Sequence, residues 1–111
     1  MTKIADKLTV ERNNLKVIAN IPPEEILFLQ ADNNYTRIFL TGGKKLLSGF
    51  NLKKYEDFFE PEEFLRVNRS FLINRRYIKR YDALKSMLYL KNGRRIGVSR
   101  RRRELIEKKV I

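Results

Sequence analysis

Phe64-Leu65-Arg66-Val67-Asn68-Arg69-Ser70-Phe71-Leu72-Ile73-Asn74 places two short apolar runs on either side of a polar break. Phe64 to Val67 reads as a short strand, and Phe71-Leu72-Ile73 as a three-residue apolar plug. The polar residues around them are those that read nucleic acid. Arg is bidentate to guanine and Asn to adenine, while Ser and further Arg suit phosphate oxygens. The same residues also suit a local role, in which Asn68 and Asn74 bond their own backbone as turn residues. Spacing alone leaves both readings open.

Working upstream, Asn51 caps an expected helix over 52–59, with Leu52, Tyr55 and Phe59 on one apolar stripe and Pro61 ending it. Before it lies a meander. Ile26-Leu27-Phe28-Leu29 is a continuous apolar run, too short for most helices, and reads as a buried strand. Asp32-Asn33-Asn34 turns the chain into Tyr35–Leu40, and Gly42-Gly43 turns it into a third strand over 44–50. Pro22-Pro23-Glu24-Glu25 suits one helical turn, because Pro is favoured at the first helical position. Residues 7–20 read as two short strands around Asn13-Asn14. Downstream, Tyr77–Tyr81 looks extended. Ser86–Leu90 and Arg95–Val98 flank an Asn92-Gly93 hairpin signal. Ser99 is placed as the cap of a terminal helix over 100–109, with Leu105, Ile106 and Val110 inward. No internal repeat or low-complexity linker interrupts this order, which is that of an all-β, strand-dominated fold.

The chain of 111 residues is the size of one domain, and its 42% hydrophobic content is enough for a packed core. A chain this long buries roughly two thirds of its unfolded surface, so staples are not required. It has no Cys and no His. Disulfides, zinc fingers, iron–sulfur clusters and thiol nucleophiles are therefore excluded, and the commonest general base is missing. The net charge of +12 is unevenly placed: residues 1–65 hold 9 basic and 10 acidic side chains, and residues 66–111 hold 16 and 3. Such a field attracts phosphates. No apolar run reaches the roughly 18 residues that span a bilayer, and Met1–Asp6 has no apolar signal core, so the expectation is a cytoplasmic protein.

Two further segments carry the same chemistry. Ser99-Arg100-Arg101-Arg102-Arg103 puts four cations in the first turn of a helix, where the macrodipole is already positive. Each misplaced charge costs about 0.3–1 kcal/mol at low salt, and a bound anion offsets that cost. The alternative is a solvated, salt-screened basic face. Asp32-Asn33-Asn34-Tyr35-Thr36-Arg37 sets amides beside a Tyr and an Arg, either to reach a groove or simply to turn between strands. The 7 Phe and 5 Tyr lie mostly in apolar runs, as core residues do. Glu56, Asp57, Glu60, Glu62 and Glu63 read as a solvated acidic helix end, with no partner that implies a metal. No P-loop, GxGxxG, GXXG or RNP-like string is present.

The ordered segments resemble the LytTR DNA-binding domain family. Ile26–Thr36 looks like its "I-x-Y-I-E-A-x-x-N-Y" opening, and Leu52–Phe59 like its short helix. Phe64–Asn74 is similar to the "F-x-R-x-H-R-S-x-[IVL]-[IV]-N" signature, with Tyr77-Ile78 following. Asn92-Gly93 through Ile96-Gly97-Val98-Ser99-Arg100-Arg101 resembles the "G-x-x-[IV]-x-[VL]-S-R" ending. The likeness covers roughly 15–110, with 1–14 a lead-in to a single domain over 1–111. Asn68 stands where the family usually has His; it still bonds a base or phosphate but cannot be cationic.

By fold analogy the resemblance implies an elongated β fold of about ten strands in three small antiparallel sheets, with a short internal helix and a C-terminal helix. It also implies sequence-specific duplex DNA binding, with loops entering successive major grooves and bending the DNA, in a bacterial transcription regulator. The implied contacts are Asn33, Asn34, Tyr35, Asn68, Arg69, Ser70, Ser99, Arg100, Arg101 and Arg102. Arg69 and Arg101 are assigned to base edges. Lys79, Arg102 and Arg103 are assigned to general phosphate neutralisation. The partners implied are double-stranded DNA with tandem half-sites and weak self-association on it. About 25 residues precede the core, so a stand-alone regulator or an isolated output domain is expected. Its receiver domain or sensor kinase would then be on another chain. No cofactor, metal or catalysis is expected. The competing class is an RNA-binding or ribosome-associated basic module, and a third is a basic domain docking an acidic protein or membrane.

Overall fold

Pro23 opens a single 3-10 turn, Pro23–Glu25, which feeds the chain into the first long strand. The computed structural model describes residues 10–11 and 20–110. Its strands are β1 (Val10–Glu11), β2 (Ile26–Asp32), β3 (Tyr35–Leu40), β4 (Lys45–Ser48), β5 (Phe64–Arg66), β6 (Phe71–Asn74), β7 (Ile78–Asp82), β8 (Met87–Leu90) and β9 (Arg95–Gly97). Two helices accompany them, α1 (Leu52–Phe58) and α2 (Arg103–Val110).

Continuous apolar runs mark strands covered on both faces. Neighbouring residues accordingly enter different cores. Phe64 and Leu72 join Ile26, Leu29, Ile38, Leu46, Leu52 and Tyr55 under α1. Leu65 and Ile73 face the other way, with Phe28, Val67, Leu88, Leu90, Ile96 and Ile106. An irregularity in the β2–β3 register between Ile26 and Phe28 puts Phe28 on the opposite face from Ile26, which plain alternation would not do. α1 therefore covers one face of a central sheet, and a three-stranded sheet with α2 covers the other. Asn51 caps α1 as expected, its Oδ1 accepting from Lys54 N–H at 3.0 Å.

Among the described residues the sheets number two where three were expected. The larger has the order β1-β4-β3-β2-β6-β5, and the smaller β7-β8-β9. They are fewer because β2 bonds β3 along one edge and β6 along the other, fusing the meander and the 64–74 pair. Nine strands are described, and β1 pairs with β4 in parallel while the other pairs are antiparallel. The expected hairpin around Asn13-Asn14 lies mostly outside the described residues.

Three local expectations change. Asn92-Gly93 does turn β8 into β9, but only Gly93 is left-handed (φ 92). Gly93 N–H bonds Leu90 O at 2.9 Å, so Lys91, Asn92 and Gly93 make a three-residue loop. Ser99 has the extended backbone of a cap, but its side chain makes no capping bond, and Arg100–Arg102 form a 3-10 turn before α2 begins. The tighter turn rotates the helix that follows. Ile106 is fully buried, whereas Leu105, expected inward, is 43% exposed.

Candidate nucleic-acid interface

The strands lie side by side, so their ends form a row along one flank of the molecule. The β2–β3 turn, Asn33-Asn34, opens that flank. Asn33 takes a left-handed conformation (φ 58), which Asn tolerates. Arg37 Nε donates to Asp32 Oδ2 at 2.9 Å across the turn, while Asn33, Asn34 and Tyr35 are exposed. Ala31 N–H donates to Ser70 O at 2.8 Å, which sets the 68–70 turn next in the row. Ser99 N–H donates to Val67 O at 2.9 Å and brings the start of the arginine run alongside. The structure thus gathers all three sequence-predicted segments on one flank, joined through backbone bonds.

Within the row the predicted residues divide by what their side chains already hold. Asn68 Oδ1 accepts from Ser70 N–H (2.7 Å) and Phe71 N–H (2.9 Å), and its Nδ2 donates to Gly97 O (2.7 Å). It ties two segments of the row together and is committed to the protein. Asn74 does the same elsewhere: its amide nitrogen donates to Pro23 O and Ile26 O. Arg69, Arg100, Arg101 and Arg103 are exposed. Arg102 is half-buried and points back to Glu56 Oε2, 3.4 Å away. Lys79 is exposed on β7.

Arg66 and Glu56 are the residues that sequence reasoning passed over. Arg66 donates from Nε to Asn68 O (2.8 Å) and from another nitrogen to Arg69 O (2.8 Å). Its third nitrogen meets Glu56 Oε1 at 2.7 Å. Side-chain exposure is 14% for Arg66 and 24% for Glu56, so water screens this pair only in part. Glu56 is therefore a bridge between Arg66 and Arg102, not part of a solvated acidic end. The available signal was an arginine in the middle of a buried strand pair, which must take its charge to a partner.

The model of the LytTr DNA-binding domain family matches residues 16–110. The chain belongs to the LytTr DNA-binding domain family. Among solved structures it is similar to a LytTr DNA-binding domain from Bacillus cereus, with a TM-score of 0.71 and 25% identity. The match covers 81% of this chain and 84% of that one. No curated protein matches it. The LytTr assignment supports DNA binding and transcription regulation. Among the described residues of this LytTr domain, no helix is long and apolar enough to cross a membrane, and no cluster of carboxylates is arranged to hold a metal.

Proposed function

We propose that this LytTr domain reads duplex DNA with the flank formed by its strand ends. The observation that carries the proposal is the row itself: 33–35, 68–70 and 99–101 adjoin through backbone bonds, with Arg69, Arg100 and Arg101 exposed along it. Neighbouring strands are about 4.8 Å apart, so adjacent turns are offset by about 10 Å. In this reading the loops enter successive major grooves from one side. In this reading Arg69 and Arg101 take base edges. Asn34, Tyr35, Ser70, Ser99 and Arg100 take bases or phosphates. Asn68 and Arg102 position the others, because their side chains are already bonded within the protein.

Residues 15–110 act as one binding unit of a bacterial, cytoplasmic transcription regulator. Copies sit on tandem half-sites, with a receiver domain or sensor kinase as the source of the input. An RNA platform needs several exposed aromatics on one sheet face. Here Phe28 and Phe39 stack on each other, and the Arg94 guanidinium lies over Phe28, Phe39 and Phe71.

In vitro selection from random duplex DNA tests the reading. A recovered motif repeated at one helical turn supports it. Arg69→Ala should cost about 1–3 kcal/mol on that motif and relax specificity at one position. Contact with about six phosphates gives a log–log salt slope near −5. A slope near zero, or equal preference for structured RNA, would sink it.

A further inference from the structure

The β7–β8 turn, Ala83-Leu84-Lys85-Ser86, continues the same row. β9 is the strand of the small sheet that adjoins Asn68, and β8 and β7 lie beyond it in that order. Val98 N–H donates to Ser86 O at 2.8 Å, so the turn stands beside the backbone that leads to Ser99. It is firmly mounted: Asp82 Oδ1 accepts from Leu84 N–H (3.1 Å) and Lys85 N–H (3.2 Å), and Ser86 holds a left-handed conformation (φ 51). The Leu84 side chain is 99% exposed. The other exposed large apolar residues among those described, Tyr35, Phe58 and Leu105, are only 38–43% exposed.

A single exposed leucine is ordinary on a protein surface. Leu84 differs in its place, at the far end of a row that also carries the exposed Arg69, Arg100 and Arg101, and in having Lys85 next to it. An apolar knob beside cations matches the side of a duplex, where deoxyribose and groove walls lie between phosphates. Apolar side chains, leucine among them, do enter minor grooves, where some proteins insert them between base steps. We propose that the 83–86 turn is a fourth DNA-contacting element, in which Leu84 packs on the deoxyribose wall of a flanking minor groove and Lys85 meets a phosphate. The proposal rests on the duplex-DNA reading above. It adds a contact outside the three segments that the family motif marks, and it extends the footprint past the arginine run.

The test uses the full chain and a labelled duplex carrying one copy of the selected motif with its flanks. Leu84→Ser should raise Kd about five- to tenfold, from loss of a partly buried aliphatic contact. Leu84→Met should stay close to the parent. Lys85→Ala should lower the salt slope by about 0.9, the share of one phosphate. None of the three should change the melting temperature, since neither side chain has a partner in the free protein. Hydroxyl-radical protection at one flank should retract in Leu84→Ser. Parent-like affinity and footprint for Leu84→Ser would overturn the proposal and leave the DNA reading standing. So would a loss seen only on a second duplex that carries two copies of the motif, which would make Leu84 a protein–protein contact. If the parent chain selects no duplex at all, the DNA reading fails, and this proposal fails with it.

Discussion

Replacing Arg66 by Lys keeps the charge and most of the aliphatic stem but removes the planar fork. The fork meets three acceptors at 2.7–2.8 Å: the carbonyls of Asn68 and Arg69 and the carboxylate of Glu56. A lysine ammonium is a single point, and it cannot reach three acceptors spread around a guanidinium plane. Two of the three bonds are therefore lost. Hydrogen bonds to charged groups are each worth about 1.5–3 kcal/mol. The 68–70 turn borders solvent, so water replaces part of the loss. The net expectation is about 2–4 kcal/mol of destabilisation. In a domain of this size that lowers the melting temperature by roughly 10–20 °C. The second consequence concerns the interface. The two carbonyls belong to the residues that carry and precede the exposed Arg69, so the turn loses its mount. Binding to the selected duplex, measured by anisotropy at a temperature where circular dichroism shows both proteins folded, should weaken about tenfold, or about 1.4 kcal/mol. Glu56→Gln is the control. It keeps one oxygen for Arg66 and gives up the charge and the second oxygen facing Arg102, at a cost of about 1 kcal/mol. Melting of Arg66→Lys within about 2 °C of the parent would refute the energetic argument. A lowered melting temperature with parent-like DNA affinity would refute the positioning argument.

Other substitutions test neighbouring parts of the account. Asn68→Asp retains the oxygen that caps Ser70 and Phe71 but turns a second oxygen toward Gly97 O, where the amide now donates at 2.7 Å; urea titration should show a loss of about 1–3 kcal/mol. Ile106→Ala should cost about 2–4 kcal/mol by the same titration, and Leu105→Ala less than about 1 kcal/mol, because only Ile106 is buried. The reverse order would mean that α2 is rotated from the orientation described. Gly93→Ala should cost about 1–2 kcal/mol, read as a lower melting temperature. An added Cβ there meets nothing within 4 Å, so the cost is the backbone conformation (φ 92) alone.

Much of the architecture could be read from local pattern. Strand β3 begins and ends where its β-branched and aromatic run does, and the Asn51 cap of α1 sits where the polar residue precedes the apolar stripe. These features depend on residues only a few positions apart. The three candidate contact segments were also found from residue type, but their meeting on one flank was not. It depends on bonds such as Ala31 to Ser70 and Val67 to Ser99, between residues more than thirty positions apart. Leu105 was misplaced because three residues of 3-10 helix before α2 turn the chain by a different angle from an α-helical start. Glu56 looked solvated because its partners, Arg66 and Arg102, come from a strand and a turn that only folding brings to it.

By itself, the sequence determined the class of the molecule. Apolar runs too short for helices, punctuated by Asn and Gly, specify strands and turns, and a net charge of +12 without His or Cys specifies a phosphate-seeking surface with little catalytic equipment. Tertiary structure decided which polar groups remain free to act. Asn68 and Arg69 are neighbours of similar promise in the sequence, yet folding turns the amide inward to three backbone partners and leaves the guanidinium in solvent. A side chain's chemistry is a property of its type, but its availability depends on which donors and acceptors the rest of the chain brings within about 3 Å.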